Sequence, residues 1–211
     1  MKTVHLIMVR HGETVWNTEK RHQGHLDSPL TKTGQAQGQA LAERLAGFNL
    51  QAIYSSDLMR ALDTARLIDP HRQLPIQSDT RLRERHFGIF QGLTLEEVRL
   101  RYPFEYERHQ SHDPDYVIPG GESLRQFYRR TTEAFAELVG RQEEGTILAV
   151  THGGVLVNQF KHVLDIPLEA HRRFSMLNTS VNIFSFSNGR WMLETWGDSQ
   201  HLVDMEALDE L

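Results

Sequence analysis

Residues 4–12 read Val4-His5-Leu6-Ile7-Met8-Val9-Arg10-His11-Gly12, a nearly continuous apolar run that stops at a guanidinium, an imidazole and a glycine. An apolar run this short and this unbroken is the pattern of a strand buried on both faces, which predicts a strand over residues 5–9 in a sheet covered on each side by helices. The signature returns in residues 147–150, which end in Thr151-His152-Gly153-Gly154. It is weaker in residues 52–54, which run into Ser55-Ser56-Asp57-Leu58-Met59-Arg60.

Helical spacing separates these runs. In residues 31–46, Ala36, Ala40, Leu41 and Leu45 share a face, with Gly47 expected as the C-terminal cap. Residues 123–139 open with Ser123 and Gln126 in a capping-box arrangement and carry Leu124, Phe127, Thr131, Phe135 and Leu138 on one side. Thr94 and Glu97 form a second box, opening a short helix expected to end near Pro103; residues 57–68 and 154–164 read as two further helices, and residues 114–121 as a loop. Residues 181–186 and 191–196 flank Ser187-Asn188-Gly189-Arg190, whose Asn-Gly core favours a tight antiparallel hairpin. The expected fold is an α/β three-layer sandwich with a mostly parallel central sheet flanked by helices, as one domain over residues 1–211.

Composition narrows the function. The 211 residues are 39% hydrophobic and 24% charged, which suits one ordinary core. No apolar window approaches the roughly 20 residues that span a bilayer, and the start lacks a signal-peptide pattern, so a cytoplasmic protein with no membrane partner is expected. The absence of cysteine removes disulfides, thiolate nucleophiles and cysteine-based metal sites. A net charge of −5 argues against nucleic acid, although Arg81, Arg83 and Arg85 form a local basic cluster expected to serve one small anion. The acidic tail over residues 204–210 is assigned no role.

In open α/β sheets ligands bind beyond the carboxyl ends of the strands. Arg10-His11, Arg60, His152 and the apolar-to-polar step Leu82-Arg83-Glu84 would therefore bring two imidazoles, two guanidiniums and a carboxyl to one edge. Each alone reads as a solvated or hydrogen-bonded side chain; together they point to phosphoryl chemistry. Glycine after both His11 and His152 is expected to supply φ > 0 and close backbone approach to an anion. Arg10 and Arg60 can clamp a phosphate dianion, and their charge is expected to keep His11 neutral and nucleophilic. Glu84, its pKa raised beside the dianion, is expected to protonate the leaving alkoxide and then to activate water. The pairs His22/His25 and His109/His112, three apart, prompt a metal-enzyme alternative, but without a neighbouring carboxylate motif they read as loop or surface residues, and neither metal nor cofactor is expected. Arg129-Arg130 and Arg172-Arg173 read as solvated or paired with acids.

Val9-Arg10-His11-Gly12-Glu13-Thr14, with Trp16-Asn17 after it, resembles the signature of the histidine phosphatase superfamily, the phosphoglycerate-mutase-like proteins. Further blocks follow in that family's order: Asp27-Ser28-Pro29-Leu30-Thr31, Ser55-Ser56 with Arg60 and Thr64-Ala65, Leu82 through Gly88, Pro119-Gly120-Gly121-Glu122-Ser123, and Val150 through Gly154. The resemblance implies a phosphohistidine on His11, with Arg10, Arg60 and His152 around the phosphate and Glu84 as proton donor. It also implies that Asn17 contacts the phosphoryl group, Gln23, Gly24 and Arg85 meet the substrate, and the Gly153 N–H binds an oxygen. Mutases of this family typically continue Arg-His-Tyr-Gly and then Gly-Leu-Asn-Lys, whereas this chain has Arg85-His86-Phe87-Gly88 and Gly92-Leu93-Thr94-Leu95. It also lacks the longer arginine-bearing insertion of the mutases, so the phosphatase branch is favoured. The alternatives are a 2,3-bisphosphoglycerate-dependent phosphoglycerate mutase and a non-catalytic phospho-ligand binding module. The expected partner is a small phosphorylated metabolite, with a homodimer left open.

Overall fold

The computed structural model describes residues 2–68, 74–203 and 205, so the acidic tail lies outside the described residues apart from Met205. In chain order the elements are β1 (Val4–Arg10), α1 (Val15–Thr18), α2 (Lys32–Leu45), β2 (Leu50–Ser55), α3 (Met59–Ile68), β3 (Ile76–Ser78), α4 (Leu95–Arg101), α5 (Pro103–Gln110), α6 (Leu124–Gly140), β4 (Gly145–Thr151), α7 (Gly153–Val163), β5 (Val181–Ser187) and β6 (Arg190–Asp198).

Strand pleating sends alternate side chains of β1 and β4 to opposite faces, and both faces are apolar, so each needs a helical layer. Leu6, Met8, Ile147 and Ala149 pack with Phe127, Phe135 and Leu138 of α6 and Val155 and Leu156 of α7. Ile7, Val9, Leu148 and Val150 pack with Leu41 and Leu45 of α2 and Ala61, Ala65 and Ile68 of α3. The result is the expected three-layer α/β arrangement. Among the described residues the strands form one six-stranded sheet in the order β3-β2-β4-β1-β5-β6. Pairing is parallel from β3 to β1 and antiparallel through β5 and β6. The hairpin turn has Asn188 at φ 51° and Gly189 at φ 74°, the doubly left-handed turn that the Asn-Gly pair favours.

Several local expectations need correction. Helix α2 closes on Ala46 in a right-handed conformation, and Gly47 is not among the glycines of positive φ, so it is not a left-handed cap. Helix α4 ends at Arg101, but Pro103 begins α5 rather than a loop, because proline fits a first helical turn whose N–H groups have no intrahelical partner. The apolar-to-polar step at Leu82 is the end of a 3-10 turn (Thr80–Leu82), and β3 is an element the sequence reading does not include. Helices α4 and α5 belong to an excursion with its own small core, Phe90, Val98 and Ile118, ringed by Phe87, Ile89, Leu93, Tyr102, Tyr106 and Tyr116. No helix among the described residues is long and apolar enough to cross a membrane.

Candidate active site

Register places the two histidines together. Arg10 pairs with Thr151 at the ends of the parallel strands β1 and β4, and the ladder continues one step as the His11 N–H donates to the Thr151 carbonyl at 2.9 Å. His11 and His152 therefore leave the sheet at one level, their ring centroids 5.3 Å apart. Ser56, one residue past β2, donates its N–H to the Val150 carbonyl, which sets its hydroxyl 2.8 Å from His152 Nε2. Arg60 comes from the first turn of α3. Arg10 and His152 are 0% exposed, Arg60 1% and His11 3%.

Each group is fixed by specific partners. His11 Nδ1 lies 2.7 Å from the Gly12 carbonyl, which can only accept, so Nδ1 carries the proton and Nε2 the lone pair. Arg10 Nη1 donates to the Met176 carbonyl at 2.8 Å. Arg60 Nη2 donates to the Gly24 carbonyl and Nη1 to the Leu26 carbonyl, each at 2.8 Å, and Nη1 also to Asp27 Oδ1 at 3.1 Å. Burial first, then the charges of Arg60 and Arg10, hold the pKa of His11 well below the usual imidazole value. The expected neutrality of His11 is present, but desolvation outranks the arginines as its cause. His152 is also held well below the usual value, by burial first and then by Arg60, His11 and Arg10.

The glycines do a different job from the one expected. Neither Gly12 nor Gly153 is among the glycines of positive φ. The Gly12 N–H donates to Thr64 Oγ1 at 2.9 Å, and a Cβ on Gly12 would sit 2.5 Å from the Gly34 carbonyl oxygen, so packing against α2 excludes any side chain there. Gly153 is the first residue of α7, for which His152 is the N-cap residue, and a Cβ on it would meet Met176 at 2.5 Å. A helix start favours negative charge.

Glu84 reaches this edge from the loop after the 3-10 turn. One carboxylate oxygen accepts from the Gly154 N–H at 2.9 Å and the other from the Arg85 N–H at 2.8 Å, which places the carboxyl at the first turn of α7. Arg130 holds the same loop: Nη1 donates to the carbonyls of Arg81 and Arg83, and Nη2 to that of Glu84 at 3.2 Å and to Glu122. The expected anion-binding cluster of three arginines does not exist. Arg81 pairs with Asp79 and Glu137 and Arg83 with Asp57, while only Arg85 is turned inward, donating Nε to the Glu122 carbonyl. Burial lowers the Arg85 pKa to about 10.

Thr14 Oγ1 accepts from Gln23 Nε2 at 2.8 Å and donates to Asn17 Oδ1 at 2.9 Å, so both amides are oriented by a residue that the sequence reading quotes in the signature but gives no role. Gly24 has φ 56° and gives its carbonyl to Arg60. His22 and His25 lie outside any helix, His25 in a turn, and His112 lies beyond α5 at φ 54°, so neither histidine pair shares a helix face. His25 contacts His86 and Glu84, and His22 contacts Phe87 and His109. Among the described residues no group of three or more His, Asp or Glu is arranged to hold a metal ion.

Residues 6–199 match the histidine phosphatase superfamily (branch 1). A phosphoglycerate mutase-like protein 4 of Arabidopsis thaliana is 40% identical over 94% of this chain and 87% of its own length. A metal-independent phosphoserine phosphatase of the same plant is 36% identical over 96% of this chain and 85% of its own. Among solved structures, YhfR of Bacillus stearothermophilus superposes with a TM-score of 0.88 at 37% identity, covering 94% of this chain and 99% of that one. With paired strand-end histidines close enough to two buried arginines to feel their charge, and a family match spanning almost its whole length, the chain belongs to the histidine phosphatase superfamily, branch 1.

Proposed function

We propose that the protein hydrolyses small-molecule phosphomonoesters through a phosphohistidine on His11. The observation that carries this reading is the hydrogen bond from His11 Nδ1 to the Gly12 carbonyl, because it leaves the Nε2 lone pair as nucleophile on a ring that feels the charges of Arg60 and Arg10. In the first half-reaction Nε2 attacks phosphorus, an N–P bond forms, the P–O ester bond breaks, and Glu84 gives its proton to the departing alkoxide. In the second, the Glu84 carboxylate takes a proton from water, whose oxygen attacks phosphorus; the N–P bond breaks, its electrons return to Nε2, and inorganic phosphate leaves. Arg10, Arg60 and the start of α7 stabilise charge on the phosphoryl oxygens, the role that a metal ion plays in other phosphoryl-transfer sites. The Ser56 hydroxyl, which accepts from the Leu58 N–H, lies 2.8 Å from His152 Nε2 and holds that ring beside His11.

Hydrolysis is favoured over mutase chemistry by what occupies the retention positions. Phe87 packs on His22 with centroids 5.0 Å apart, and Leu95 is the half-exposed first residue of α4 after its Thr94 cap, so neither a hydroxyl nor an ammonium is presented there. A phosphoenzyme that releases its alcohol is attacked by water, whereas one that retains it can transfer to a neighbouring hydroxyl. The phosphoserine phosphatase relative supports the same choice. Incubation with 3-phosphoglycerate, with and without 2,3-bisphosphoglycerate, should release inorganic phosphate faster than it forms 2-phosphoglycerate. A mutase rate above the release rate reverses the assignment, and tight phosphate binding with neither product indicates a binding module.

A further inference from the structure

Residues 24–27 face two ways. On one side the carbonyls of Gly24 and Leu26 and the Asp27 carboxylate hold the guanidinium of Arg60, while Asp27 Oδ2 also accepts from the Met59 N–H at 3.0 Å. On the other side His25 Nε2 lies 2.9 Å from the main-chain carbonyl of Glu84. That oxygen can only accept, so the proton sits on Nε2 and His25 donates. The ring is steadied by His86, edge-on at 4.5 Å between centroids, and the His25 N–H donates to Gln91 Oε1 at 2.7 Å. Gly24 makes the arrangement possible: at φ 56° the backbone turns so that consecutive residues reach Arg60 and Glu84, and a Cβ there would lie 2.4 Å from Gln91 Oε1.

We propose that His25 is a positioning residue for the proton donor, tying Glu84 to the same strap that anchors Arg60, an inference that rests on the reading of Glu84 as leaving-group acid. The Glu84 carbonyl also receives Arg130 Nη2, but Arg130 serves Arg81, Arg83 and Glu122 as well, so it braces the whole segment. His25 instead links the acid to the phosphate clamp through two adjacent residues. Burial, then the neighbouring His86, lowers its pKa to about 4, so the neutral donor persists around neutral pH.

The test compares an alkyl phosphomonoester with p-nitrophenyl phosphate across His25→Leu, His25→Gln and Glu84→Gln, each checked by circular dichroism. His25→Leu should lower kcat/KM on the alkyl ester roughly 10- to 100-fold more than on the aryl ester, the scale of a misplaced catalytic group. Inhibition by inorganic phosphate should be unchanged, and His25→Gln, which keeps a terminal N–H, should recover most of the loss. Equal losses on both esters in His25→Leu, or no recovery in His25→Gln, overturn the positioning role while Glu84→Gln still discriminates. If Glu84→Gln itself fails to discriminate, the reading of Glu84 falls and this inference falls with it. Should His25→Leu not fold, His25→Asn, whose amide is too short to reach the carbonyl, replaces it in the comparison with His25→Gln.

Discussion

The two halves of the site are built by different means. The phosphate half, Arg10, His11, Arg60 and His152, is buried and sits on strand ends or the first helical turns after them, so sheet register and a packed core on each face fix it. The leaving-group half, residues 79–122, hangs from side chains that grip main-chain carbonyls and closes over a small core of its own, with Phe104 of α5 65% exposed. On the proposed function, the first half handles a group that every phosphomonoester shares and can be rigid. On the same reading the second meets whatever alcohol departs, and an excursion with its own small core, tied down by side chains rather than by sheet pairing, can vary without disturbing the sheet.

If that division is right, His11→Ala should have the largest effect and should not depend on the leaving group. The loss in kcat should reach about 10⁴-fold or more on alkyl and aryl esters alike, with the fold retained and no acid-labile phosphate on acid-quenched enzyme. Near wild-type turnover in the folded variant removes the covalent mechanism.

Glu84→Gln should split the substrates. An alkyl oxygen needs its proton in the transition state, so its turnover should fall about 10²- to 10⁴-fold, whereas p-nitrophenolate leaves well unprotonated and should be far less affected. Equal losses on both would place Glu84 outside leaving-group protonation and merge the two halves.

Sequence legibility followed the same division. The unbroken runs at residues 5–9 and 147–150 could be read because a doubly buried strand tolerates no polar residue, and a strand end fixes where the next side chain goes. That placed Arg10, His11 and His152. Glu84 was located by the motif and by the apolar-to-polar step at Leu82, but the element that carries it there is a 3-10 turn and a loop held by Arg130, which that step does not specify. Helix α5 was missed because it buries no residue and so has no apolar stripe to read, and β3 because it is a three-residue edge strand without a buried residue. Ser56, Thr14 and His25 act through side chains whose partners are 96, 9 and 59 residues away, which spacing does not encode. The basic cluster at residues 81–85 misled because sequence shows charges but not the aspartates and glutamates that claim them.

Both halves also carry histidines kept neutral by burial, and this gives a pH test of stability. His25 and His109 have pKa values lowered to about 4, and His11 and His152 lie well below the usual value. As pH falls below about 6.5, the ordinary imidazole value, the unfolded chain takes up protons on these rings while the folded chain does not, so stability must fall with pH down to the folded values. The Asp57 carboxylate, held down by its hydrogen bonds to Arg83, would lose its contribution only below the ordinary carboxylate range, so the two windows separate. The urea midpoint should be lower at pH 5 than at pH 7, and His109→Asn should flatten that difference. A midpoint unchanged between the two pH values would mean that these rings are solvated in the folded chain.

The smallest effects should come from two matched caps, one in each half. Ser123 caps α6 and Thr94 caps α4, each in a complete capping box, so replacing either hydroxyl with Ala removes the same kind of bond, worth about 1 kcal/mol. Their consequences should differ, because α6 carries Phe127 and Phe135 into the main core while α4 packs only Val98 into the small one. Ser123→Ala should lower the global melting temperature. Thr94→Ala should instead speed amide hydrogen exchange across residues 88–110, with a smaller shift of the global midpoint, since a local unit can open without unfolding the sheet. An equal drop in melting temperature for both, with no local change in exchange, would make the excursion part of one cooperative unit with the sheet, and a leaving-group half able to vary independently would then have no structural basis.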